Sequence, residues 1–218
     1  MHDRNFDLQE DFMYKFILAS KSPRRKEILN QVGVEFTVIP SDNKEVVRGR
    51  NPEEIVKDLA VKKALDVSYK MNEPAIIIAA DTVVVHDGKI LGKPADEADA
   101  KRMLRSLQSN THKVYTGVAI VLKGIGEEDR GTKVIQFSEE TKVSIGWMSE
   151  KQIESYVETK EPMDKAGAYA IQGKFAIYVK KIEGDFYNVV GFPVARFYQT
   201  LLSYGIDPIK DSKKKSVK

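Results

Sequence analysis

The sequence predicts an α/β protein with a mixed central β-sheet flanked by helices, arranged as two lobes around a cleft. Three observations lead there. Short apolar runs alternate along the chain with stretches of helical periodicity. Helix starts carry capping residues and proline, as at Ser22-Pro23, Asp96 and Ser149. Late in the chain, two long extended runs joined by a polar loop read as an antiparallel pair, so the sheet cannot be all parallel.

Taken in order, residues 16–19 form a first strand. Ser22 caps a helix over 23–32, with Pro23 in its first turn and Gly33 past its end. A second strand covers 35–39, and a long helix covers 52–69. The run "AIIIAADTVVVH" is a buried strand or strand pair, which "HDGK" turns into a hairpin. Asp96 starts a helix that runs to about residue 107. "KVYTGVAIVL" and "KVIQFSEETKVSIGW" make the antiparallel pair, and Ser149 with Gln152 forms a capping box for a helix through 157. The Gly- and Pro-rich "KEPMDKAGAYAIQGK" reads as an ordered loop, "FAIYVKKIEG" as another strand or strand pair, and 193–204 as the last helix.

Composition narrows the class. Of 218 residues, 42% are hydrophobic and 31% charged, the balance of a soluble globular chain. No apolar run approaches the roughly 18 residues that span a bilayer, and the first residues lack the apolar core of a signal peptide. The absence of cysteine rules out disulfides and thiolate metal sites and fits a cytoplasmic setting. The net charge of +3 is concentrated at the end, where residues 210–218 hold five lysines against one aspartate. A near-neutral body with a basic tail points to a solvated terminus rather than to nucleic-acid binding. The expected organisation is one domain over 14–206, a polar extension over 1–13 and a disordered basic tail over 207–218.

Three placements carry chemistry. Arg24 and Arg25 open a helix, where the dipole is already positive, a costly position unless an anion uses both. The alternative is that they extend into water. Lys63 interrupts the apolar stripe of the 52–69 helix formed by Ile55, Val56, Leu59, Ala60, Ala64 and Val67. It faces either a structural carboxylate or an anion in a cleft. Asp81 sits inside a run that otherwise reads as core, where an ionised carboxylate needs a cation, hydrogen bonds or a catalytic task; a structural role is the alternative. Lys93 on the turn "GKP" and Thr116 in "THKVYTG" add polar groups, while His112 reads as structural. In combination these describe a pocket for a polyphosphate with a carboxylate to handle water.

The segments "LASKSPRRKEIL", "PSDNKE", "AADTVVV", "LGKP", "THKVYTG" and "DKAGAYAIQG" occur in this order over about residues 14–205. In them the chain resembles the Maf family of nucleotide pyrophosphatases, two-lobed Maf/ITPase-like α/β proteins that hydrolyse nucleoside triphosphates to the monophosphate and pyrophosphate. The resemblance implies that Ser20, Ser22, Arg24 and Arg25 hold phosphates, that Asp81 is the catalytic base and that Lys63 and Lys93 line the cleft. It also implies a divalent cation, Mg²⁺ or Mn²⁺, held by Asp81 and Glu45, with Asp164 a weaker candidate. Arg24, Thr82 and Gln172 match the subfamily acting on dTTP and UTP. Lys21 departs from the family, which usually has a small residue there. Cytoplasmic residence and a homodimer fit the resemblance, although no apolar stripe in the sequence demands a dimer. Two alternatives stand beside this reading: a nucleotide-binding regulator of cell division without turnover, and a pyrophosphatase for ITP- or XTP-type purines.

Overall fold

The structure, a computed structural model, describes residues 14–42, 49, 51–125 and 131–213. The strands are β1 (Phe16–Leu18), β2 (Thr37–Val38), β3 (Ala75–His86), β4 (Lys89–Leu91), β5 (Thr111–Lys123), β6 (Thr132–Ile145) and β7 (Val179–Glu183). They form a sheet in the order β2-β1-β3-β5-β6-β7, with β4 added to β3. β1 runs parallel to β2 and β3, and the remaining pairs are antiparallel, so the sheet is mixed as predicted.

Helices cover both faces. On one lies α2 (Pro52–Tyr69), whose Asn51 cap accepts from Glu53 N–H and whose Ala60, Ala64 and Val67 pack on Ile77 and Ala79. The other face carries α1 (Pro23–Gln31), α3 (Glu97–Leu107), α4 (Glu150–Glu158) and α6 (Val194–Ser203), which enclose the larger core around Leu18, Ile78, Leu104 and Phe197. Gly117 sets how close α2 can come. A Cβ there would overlap the Val56 carbonyl, so helix backbone rests on strand backbone. In register, Gly117 stands opposite Asp81.

The pairing of β3 positions the site. One edge pairs with β5 continuously from Ala75 to Val85. The opposite edge is shared, with β1 pairing Ile76–Ile78 and β4 pairing Val84–His86. Ala19 N–H still bonds to Ile78 O, and there the chain turns away. Residues 79–83 are therefore left without a strand on that edge, and both flanking strands deliver their exits to this window.

Several element expectations hold closely: α2 matches in full, the capping box of α4 is present, and Asp96 caps α3 by accepting from Asp99 N–H. Others need correction. Residues Lys174–Tyr178 form a 3₁₀ helix where a strand was predicted, because Phe175 is pinned among the rings of Tyr156, Tyr169 and Tyr178. A short helix, α5 (Phe186–Val190), follows the Asp185 cap and was not predicted. Ser22 occupies the cap position of α1, but its side chain makes no capping bond. Residues 207–213, expected to belong to the disordered tail, fold into a turn in which Ser212 is buried and its hydroxyl accepts from Glu35 N–H at 2.9 Å. Among the described residues no helix is long and apolar enough to cross a membrane.

Candidate active site

A cavity of about 650 Å³ opens at the window of β3. Alternation along the strand sends Asp81 toward α2 and Thr82 toward the opposite face, yet both line the cavity, because no strand covers them on the edge that β1 and β4 share. The β1–α1 loop supplies Ser20, Ser22, Arg24 and Arg25. Lys63 reaches in from α2, and Lys93 arrives just past β4. The site residues predicted from α1, α2, β3 and the β4 exit thus surround one space.

Asp81 lines the cavity from β3. Its Oδ1 accepts from Lys63 Nζ at 2.5 Å, with the two side chains only 9% and 12% exposed. Lys63 thus faces a carboxylate, and it also lines the cavity. The close seating of α2 at Gly117 lets a helix lysine reach a strand carboxylate.

On the other face Arg25 acts as a strut. Its Nε donates to Gly191 O at 2.8 Å, and its terminal nitrogens donate to Ser20 Oγ and Thr82 Oγ1, each at 3.1 Å. Thr82 Oγ1 lies 2.9 Å from Thr116 Oγ1, which in turn donates to Asn188 O at 2.9 Å. Asn188 donates to Val114 O and Thr141 Oγ1, tying α5 to the sheet. Ser20 also accepts from Ser22 N–H at 3.2 Å, which fixes the turn into α1. Arg24, by contrast, donates no hydrogen bond to a described residue. It lies close enough to Asp164 to act on it electrostatically. Burial pushes the Asp164 carboxyl up, but Lys165 and Arg24 together hold it below the usual carboxylate value.

The cavity wall also includes apolar residues, among them Val84, Val114, Tyr169, Ala170 and Ile171. Tyr169 is steadied from behind by His112, whose Nε2 lies 2.8 Å from its hydroxyl. Burial, and then His86, holds His112 down at about 4, so it is neutral, in keeping with a structural role. Gln172 is exposed and follows the wall residue Ile171 without lining the cavity itself. Glu45 lies outside the described residues.

For a metal, the described residues contain no cluster of three His, Cys, Asp or Glu side chains. Asp81 and Asp164 both line the cavity, however. A hard cation that keeps its waters and shares ligands with substrate phosphates needs only one or two carboxylates, and these residues fit such an ion.

Sequence reading missed Lys165, Tyr169 and Gly191 in the cavity wall. The first two lie within the quoted "DKAGAYAIQG" and could have been found there. Gly191 was marked only by the turn "GFP", and its part is played by a backbone carbonyl.

Fold and cavity together define an α/β protein in which one edge of β3 is left bare to seat a cation-lined cavity that holds the Asp81 carboxylate. Beyond that class, the chain belongs to the Maf family: the family model described as Maf-like protein matches residues 15–204. A dTTP/UTP pyrophosphatase of Lachnoclostridium phytofermentans is 48% identical over 199 residues, spanning 91% of this chain and 99% of its own. A dTTP/UTP pyrophosphatase of Agathobacter rectalis is 46% identical over 207 residues, spanning 89% and 100%. Among solved structures, a HAM1 protein from Coxiella burnetii aligns with a TM-score of 0.47 at 15% identity, covering 88% of this chain and 100% of that one.

Proposed function

We propose that this protein is a nucleoside triphosphate pyrophosphatase acting on dTTP and UTP, releasing the monophosphate and pyrophosphate. The observation that carries the reading is the convergence of Arg24, Lys63 and Lys93 with Asp81 on one cavity. Both relatives named above are dTTP/UTP pyrophosphatases similar to this chain over nearly their whole length, which supports the base preference.

The triphosphate lies along the cationic rim. The start of α1 offers backbone N–H groups that the Ser22 side chain leaves uncapped, and Arg24, Lys93 and Lys21 add charge around them. Water attacks the α-phosphorus. Its proton passes to Asp81, the α–β bridging bond breaks, and the electron pair leaves with pyrophosphate. Lys63 holds Asp81 Oδ1, so the carboxylate is fixed in orientation. Cations at the rim stabilise the charge that builds on the leaving group. A divalent cation, Mg²⁺ or Mn²⁺, would be held by Asp81 together with Asp164 or Glu45, and when bound it neutralises phosphate charge. The apolar lining takes the base, and the Gln172 amide, exposed beside the wall residue Ile171 in the free protein, turns toward the O4 and N3–H edge of a pyrimidine, which it can pair because it both donates and accepts. The absence of cysteine fits a cytoplasmic site of action.

The test is pyrophosphate release over a panel of nucleotides including dTTP, UTP, ITP and XTP, with the nucleotide product identified. Turnover of dTTP and UTP above the others is expected. Binding without turnover would make the protein a sensor, and a purine preference would move it to the other pyrophosphatase class.

A further inference from the structure

The segment that forms the apolar wall and carries Gln172 is held from behind by two side chains that the reaction does not use. Tyr156, at the end of α4, is buried. Its hydroxyl accepts from Ala170 N–H at 3.2 Å and donates to Glu161 Oε1 at 2.9 Å. The other oxygen of the same carboxylate, Oε2, accepts from Lys174 N–H at 3.1 Å. Between these anchors, Gly173 N–H closes the turn onto Ala170 O at 3.1 Å. Both ends of the 170–174 turn are thus tied to one Tyr–Glu pair, while Ala170 and Ile171 face the cavity.

Two backbone features serve this arrangement. Lys160 adopts a left-handed φ of 60°, which ends α4 and redirects the chain into Glu161. Gly173 provides the space, because a Cβ there would stand inside the Glu161 carboxylate. Its φ is −103°, a value open to any L-residue, so glycine is required here by room and not by backbone conformation. Burial, and then Glu161, push the Tyr156 phenol well above its ordinary value, so it remains a donor at any working pH.

We infer that Glu161 and Tyr156 are positioning residues that fix the base-facing wall and the Gln172 turn, with Gly173 shaped to admit the carboxylate. The inference rests on reading the cavity as a nucleoside triphosphate site. Neither residue touches the cavity, so loosening them should weaken substrate binding more than the chemical step.

The experiment is a double-substitution cycle on the full chain: Glu161→Ala, Gly173→Ala, the two combined, and Glu161→Gln. In the free protein, amide hydrogen exchange over residues 169–174 should speed up in both single variants. With dTTP and UTP, each single variant should raise KM about tenfold and change kcat by less than about threefold, the scale of a misplaced pocket wall. The combined variant should match Glu161→Ala and not multiply the two effects, because the methyl group clashes only while the carboxylate is present. Glu161→Gln keeps an acceptor for only one of the two donors, since Tyr156 O–H and Lys174 N–H both donate to the carboxylate, and should fall between wild type and Glu161→Ala in both exchange and KM. Unchanged exchange, multiplicative effects in the combined variant, or faster exchange with an unaltered KM would each overturn the proposal. A wild-type protein inactive on every nucleotide would instead refute the proposed function, and the exchange measurements would still decide whether the pair anchors the turn.

Discussion

On the α2 face of β3, Asp81 meets Lys63 as an ion pair at the cavity wall. One residue further on and across the sheet, Thr82 belongs to a run of hydrogen bonds through Thr116 and Asn188 that Arg25 joins from the rim. The first face keeps a charge in low exposure and must supply a counter-charge, since a buried carboxylate without a partner is strongly destabilising. The second face buries neutral groups, whose mutual hydrogen bonds hold geometry with a far smaller desolvation penalty. Paired charge and neutral hydrogen bonding are thus assigned to opposite sides of a single strand. The two adjacent arginines both line the cavity but divide in the same way: Arg25 is committed to three protein acceptors, while Arg24 donates no hydrogen bond to a described residue.

The sharpest way to break this division is Asp81→Asn, which removes the proposed proton acceptor and leaves the opposite face intact. We expect kcat to fall by about 10²–10⁴ with KM little changed, measured by steady-state pyrophosphate release. A variant of full activity would take Asp81 out of the mechanism.

The neutral face makes a prediction in pH. His112 titrates at about 4 in the fold against the ordinary 6.5, so between those values the unfolded chain binds the proton first. Its contribution to stability is complete above pH 6.5 and is lost as the pH falls toward 4, by up to roughly 3 kcal/mol. Urea unfolding across that window should show the loss in wild type and a shallower slope in His112→Gln. Identical slopes would show that this group does not set the acid sensitivity.

The smallest effect separates the arginines. Arg25→Lys cannot reach three acceptors from one ammonium, and should lower stability by about 1–2 kcal/mol, as loss of charge-assisted hydrogen bonds does. Arg24→Lys should leave stability within about 0.5 kcal/mol and raise KM for the triphosphate. Equal stability losses in the two variants would erase the distinction.

Much of this was legible in the sequence, for identifiable reasons. Lys63 and Asp81 stood out because a charge within an apolar pattern has few physical explanations, and α2 because its stripe and its proline start agree. What stayed hidden depends on partners distant in the chain. The 174–178 segment has a strand-like composition, but Phe175 sits 5.0 Å, centroid to centroid, from both Tyr156 and Tyr169, and ring packing overrode the local pattern. α5 is too short to show a helical period. That Arg25, unlike Arg24, is tied to the fold could not be read from "SPRR", since the acceptor at Gly191 is main chain and leaves no residue signature. The window in β3 was equally invisible, because only the registers of β1 and β4 create it.

That window also puts a ceiling on the length of β1. A few further residues of extended chain after Leu18 would zip onto the bare edge of β3 and seal the doorway with main chain, leaving Asp81 walled inside a seamless sheet. The serine turn that peels the backbone away at residue 20 is therefore as necessary to an open pocket as any group that lines it.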